Sequence, residues 1–144
     1  MNPANNVTTS SRQPAARPGI AIAAGDYARL VGLTEGPDRS EVAEYLSGEL
    51  TRARIVGDDN LAANIVRMGS RVTYRDLATG RTRVITLVYP READMVRNRI
   101  SVLTPIGAAL IGLCPGQSID WPTPEGGAGT LIVVDVCDDE VEPT

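Results

Sequence analysis

The stretch at residues 100–113, ISVLTPIGAALIGL, constrains the fold most, because both ends of a helix are written into it. Thr104 can act as N-cap, its hydroxyl accepting an orphan backbone N–H, and Pro105 suits the first helical position, where a missing N–H costs nothing. Ile106, Ala109 and Leu110 recur at i, i+3 and i+4, Ala108 keeps the other face small, and Gly112 can adopt the left-handed conformation that ends a helix. The spacing predicts a short buried helix around which the chain must supply cover.

That cover reads as strand on both sides. Val72 and Tyr74 alternate with Arg71, Thr73 and Arg75, Ala78-Thr79-Gly80 turns the chain, and residues 83–89 return with Ile85, Leu87 and Tyr89 on one face. Pro90 stops that strand, residues 91–98 form a polar connection or helical turn, and residues 100–103 make a short strand into the central helix. Residues 118–121 and 130–137 are further strands, separated by a Pro/Gly-rich loop at 122–129. The expected class is α+β, an antiparallel sheet wrapped on one helix.

Upstream the period is helical. Residues 26–33 open a first helix with Asp26 as its cap, Gly36-Pro37-Asp38 turns, and Ser40 or Asp38 caps a second helix with Val42, Leu46, Leu50 and Ala53 on one stripe. The organisation expected is a disordered tail at 1–22, a short helical hairpin at 23–62, the α+β domain at 63–137 and a solvated acidic tail at 138–144.

Composition removes several functions. There is no histidine, and Cys114 and Cys137 alone cannot build a disulfide framework or a four-ligand metal site, so they read as small buried hydrophobes in a reducing compartment. Ser/His and Cys/His nucleophilic chemistry is excluded with the histidine. No apolar run approaches the roughly 20 residues that cross a bilayer, and no signal-peptide pattern opens the chain, which points to a cytoplasmic protein without membrane contact. All 14 basic residues are arginine, and they concentrate between two acidic flanks. Arg71, Arg75, Arg81 and Arg83 form a candidate basic face on the hairpin, suited to carboxylate or phosphate. Net charge of −4, one tryptophan and four tyrosines argue against independent nucleic-acid binding. Gly126-Gly127-Ala128-Gly129 lacks the Lys-Ser/Thr of a phosphate loop.

Two runs carry a resemblance. ISVLTPIGAALIGL with the following Pro115-Gly116-Gln117-Ser118-Ile119-Asp120-Trp121 resembles the C-terminal domain of the bacterial Gre transcript-cleavage factors, with its Ser-x-x-Ser/Thr-Pro-x-Gly-x-Ala-Leu-hydrophobic-Gly pattern. Residues 68–77 and 83–90 resemble more closely Rnk, the regulators of nucleoside diphosphate kinase, a short-armed branch of the GreA/GreB family. The resemblance spans about residues 27–136, most densely from Met68 onward, and implies an FKBP-like fold for the C-terminal domain.

It also implies a partner. In Gre factors the loop corresponding to Ser101, Thr104, Pro105 and Ile106 faces RNA polymerase at the rim of the secondary channel, making these the expected polymerase contacts. Gre arms carry acidic tip residues that help hold a catalytic Mg²⁺; the matching positions here are Glu35, Asp38 and Glu41, with Glu44 behind them. Helices of about 8 to 16 residues reach only about 12 to 24 Å, so transcript cleavage is not expected. The reading is a monomeric, cofactor-free transcription regulator rather than an enzyme, docking on bacterial RNA polymerase with some contact to the nucleic acid held there. The alternatives are an active Gre-type factor that stimulates cleavage of backtracked RNA, and a regulator of nucleoside diphosphate kinase. A prolyl-isomerase reading fails for want of an aromatic-lined pocket in a chain without phenylalanine.

Overall fold

The computed structural model describes residues 19–36, 40–122 and 128–138. The order is β1 (Ala21–Ala23), α1 (Ala24–Thr34), α2 (Glu41–Arg52), β2 (Arg54–Val56), β3 (Ser70–Asp76), β4 (Thr82–Val88), β5 (Arg99–Ser101), α3 (Pro105–Leu110), β6 (Ser118–Pro122) and β7 (Ala128–Asp138). Single 3₁₀ turns occupy Asp58–Asn60, Pro90–Glu92 and Met95–Arg97. β1 and β2 pair in parallel, and the main sheet runs β5-β4-β3-β7-β6. Its pairs are antiparallel except for β5, which runs parallel to β4. The class is therefore the α+β expected, with one edge strand reversed.

The central helix forms as its sequence demands. Thr104 Oγ1 accepts from the Gly107 N–H at 3.1 Å, Pro105 holds the first helical position, and Gly112 sits at φ +85 beyond the last turn. Around it gather Leu30, Leu46, Leu50, Val72, Tyr74, Leu87, Ile119, Trp121 and Leu131, with Leu110 of the helix itself, in one hydrophobic core. The helical hairpin thus belongs to the same core as the sheet. Ser40 caps α2 by accepting from the Ala43 N–H at 3.1 Å, as the sequence allowed.

Four readings change. Residues 20–22 fall inside the segment expected to be a disordered tail, yet Ile20 and Ile22 are buried: Arg54 N–H donates to the Ile20 carbonyl at 2.9 Å and the Ala21 N–H reaches the Gly112 carbonyl at 3.4 Å. Residues 1–18 and the acidic tail from 139 lie outside the described residues. Asp26 is not a cap: α1 begins two residues earlier, and the Asp26 carboxylate is buried, accepting from the Met68 N–H at 3.2 Å with Arg67 Nε at 3.6 Å. Cys114 is half-buried and Cys137 exposed, against the expectation of two buried thiols. Both faces of β4 are covered at its end, since Thr86 and Val88 are buried along with Ile85 and Leu87. At that end the chain folds back to extend the sheet edge, the Asn98 carbonyl accepting from the Thr86 N–H at 2.9 Å.

Candidate functional site

The loop between β5 and α3 is tied down by its own polar groups. The Leu103 N–H donates to Ser101 Oγ at 2.9 Å, and Thr104 Oγ1 donates to the Ser101 carbonyl at 2.7 Å while receiving Gly107 N–H. Ser101 is consequently buried, and of the four expected contact residues only Thr104, Pro105 and Ile106 keep part of their surface in solvent. Gly107 explains the spacing: an added Cβ would collide with the Ser101 carbonyl oxygen and lie 2.9 Å from Val102 Cα, so the helix can close on the loop only without a side chain there. The motif is a packing device whose outer side stays partly exposed.

Ile106 opens onto a cleft of about 280 Å³, lined also by Tyr74, Asp76, Thr79, Arg81, Arg83 and Trp121. Burial raises the Tyr74 phenol above its ordinary range, and the nearby Arg83 opposes that shift. The Trp121 indole Nε1–H is buried with no hydrogen-bond acceptor among the described residues. Arg81 and Arg83 share this lining with the Asp76 carboxylate and the Thr79 hydroxyl, so the cleft is of mixed charge with aromatic and aliphatic walls.

The expected basic face is divided. Arg83 pairs across the ladder with Tyr74 and so points to the helix side, whereas Arg71 and Arg75 pair with Thr86 and Thr82 and lie on the opposite face. Arg81 belongs to the turn and joins Arg83 in the cleft. The division was readable, because Arg83 shares its parity with the inward Ile85 and Leu87. Tyr74 and Trp121 were read only as strand residues, and nothing local in the sequence marks them as cleft lining.

Among the described residues the acidic set is not gathered into a metal-binding cluster. Glu35 is exposed at the C-terminal end of α1, Glu41 and Glu44 are exposed in the first turn of α2, where they favour the helix dipole, and Asp38 lies outside the described residues. Among the described residues no three carboxylate, cysteine or histidine side chains come together to hold a metal ion. Glu49, by contrast, is buried in α2 and paired with Arg52 at 2.7 Å, a structural ion pair within one turn.

Known proteins match this arrangement. Residues 61–138 match the family described as "Transcription elongation factor, GreA/GreB, C-term". The chain is 39% identical over 122 residues to the "Regulator of nucleoside diphosphate kinase" of Escherichia coli K12, covering 83% of this chain and 90% of that one. It is 35% identical over 138 residues to the "Transcription elongation factor GreA" of Azorhizobium caulinodans, covering 85% and 84%. Among solved structures, the GreA/GreB elongation factor of Nitrosomonas europaea superposes with a TM-score of 0.68 at 36% identity, over 83% of this chain and 98% of that one. With the family domain matched from residue 61 to 138 and the likeness extending through the helical hairpin, the chain belongs to the GreA/GreB transcription elongation factor family.

Proposed function

We propose that this protein is a cytoplasmic, non-enzymatic regulator of transcription that binds bacterial RNA polymerase at the rim of the secondary channel and does not promote transcript cleavage. Thr104, Pro105 and Ile106 make the contact, with the Tyr74, Arg81, Arg83 and Trp121 cleft receiving a protruding partner side chain. One observation carries the absence of cleavage: α1 and α2, of 11 and 12 residues, extend about 16 and 18 Å and are anchored in the core through Leu30, Leu46 and Leu50. Their acidic end therefore stays near the body, where it can narrow a channel entrance but has little reach into a distant active site. The test is binding to purified core polymerase, comparing wild type with Thr104→Arg and Pro105→Ala variants shown to be folded by circular dichroism. Binding should fall in both variants; equal binding by all three would remove the loop from the interface.

Two other readings draw on the relatives' names. Likeness to GreA over 84% of its length supports a cleavage factor, and a backtracked complex that shortens its transcript on addition of this protein would establish that activity. The relative named a regulator of nucleoside diphosphate kinase supports an effect on that enzyme, which kinase assays with and without the protein would decide.

A further inference from the structure

The sheet face opposite α3 carries a feature that the loop-and-cleft reading leaves unused. Residues 94–99 form a closed turn in which Asp94 and Arg99 exchange backbone hydrogen bonds, both at 2.9 Å. The Arg97 N–H donates to the Asp94 carbonyl at 3.0 Å, the Asn98 N–H to the Met95 carbonyl at 3.1 Å, and the Val96 N–H to Asp94 Oδ1 at 3.1 Å. Asn98 completes the turn at φ 58, a left-handed position that asparagine tolerates. On the crest, Met95 and Val96 are 81% and 93% exposed. The bonded backbone of the turn fixes where these two apolar side chains leave the chain, and both stand in water.

Beside the crest is a cleft of about 370 Å³ lined by Arg71, Val84, Thr86, Arg97, Asn98 and Arg99. Asp94 Oδ2 lies 3.7 Å from Arg97 Nε, and Arg99 Nε donates to the Glu92 carbonyl at 3.4 Å, so two of the three guanidinium groups are oriented by the turn itself. Three arginines on one concave surface stand out in a chain of net charge −4. Arginine forks beside aliphatic side chains complement carboxylates beside an apolar hollow.

We propose that this turn and cleft form a second docking surface, for a protein partner presenting an apolar hollow rimmed by carboxylates; resting on the reading above, that partner is RNA polymerase. A protein fits better than nucleic acid: the exposed side chains are aliphatic and give bases nothing to stack on, and the net negative charge opposes a phosphate backbone. The surface is also continuous with the docking loop. β5 leads from Arg99 to Ser101, about 7 Å along the sheet edge, so a partner straddling that edge meets the turn on one side and the loop on the other.

The test titrates core polymerase with wild type, a Met95→Ser/Val96→Ser double variant, Arg97→Ala and Pro105→Ala, with and without a nucleic-acid scaffold and at two salt concentrations. The exposed positions make the double variant a fold-neutral change, checked by circular dichroism. It should bind core polymerase at least about tenfold more weakly, and Arg97→Ala should reduce the salt dependence. Full affinity in the double variant together with weakened Pro105→Ala would overturn this surface and leave the loop reading standing. No binding by wild type would overturn both. A loss seen only when the scaffold is present would assign the cleft to nucleic acid and overturn the proposal as well.

Discussion

Gly107 shows how a single position can look like recognition and act through packing. Its missing side chain lets the first turn of α3 rest on the Ser101 carbonyl and Val102 Cα. Gly107→Ala is therefore expected to lower stability by about 1 to 3 kcal/mol through overpacking, measured by urea unfolding. An alanine variant as stable as wild type would mean that the loop relaxes easily and that the glycine is there for another reason. Gly112 is fixed on two counts, a φ of +85 and an approach of 2.7 Å between an added Cβ and Ile20 Cβ. Gly112 was legible as helix punctuation, and Gly107 only as a position of the family pattern. Their contacts were not, because Ser101 and Ile20 are brought to them by the fold rather than by sequence spacing. Asp26 was misread for the same reason: its acceptor role is local in type but is filled by Met68, 42 residues away.

At the scale of elements, Asp26 joins α1 to the entry of β3, and the join is sensitive to pH. Burial raises its pKa above the ordinary 3.8, against the opposing pull of the Met68 N–H and the Arg67 guanidinium. With the folded pKa above the unfolded one, the native state binds more protons between them. The contribution to stability is then fully present below 3.8 and declines as pH rises through the folded value. Asp26→Asn keeps an acceptor for Met68 but cannot ionise. The difference in unfolding free energy between this variant and wild type should shift in the variant's favour as pH is raised from about 3.5 to about 7. A difference that stays constant across the range would show that the carboxylate is charged at no net cost, its pairing with Arg67 fully offsetting burial. The hairpin of β3 and β4 and the capped helices α2 and α3 were legible because their signals are local: alternation, a turn triplet, a cap three residues before the N–H it receives. The parallel pair β1 and β2 was not, since Ala21–Ala23 and Arg54–Val56 are three residues each and acquire meaning only side by side.

For the whole molecule the decisive question is whether the helical hairpin is an appendage or part of the body. A projecting arm would have its own narrow apolar seam and leave the sheet domain to unfold alone. Instead Leu30 and Leu46 are fully buried in the same core as Val72, Leu110 and Leu131, and α2 packs directly against α3. Backbone bonds reinforce the join, with Val66 N–H donating to Leu113 at 2.8 Å and Gly112 N–H to Val66 at 2.9 Å, while β1 hangs between Gly112 and β2. A body so connected should unfold as one unit. Trp121, the one tryptophan in the sequence, sits in β6 and reports the sheet by fluorescence, whereas far-ultraviolet circular dichroism is weighted to the helices. Leu46→Ala leaves a cavity in α2 and should cost about 2 to 5 kcal/mol. In a single cooperative structure that loss appears in both signals, which keep coincident midpoints while moving together to lower denaturant. Were the hairpin independent, the dichroism midpoint would fall and the Trp121 midpoint would stay in place. Coincident movement would also assign the short helical pair a structural role: it closes the core under α3, and so supports the loop that carries Thr104 and Pro105.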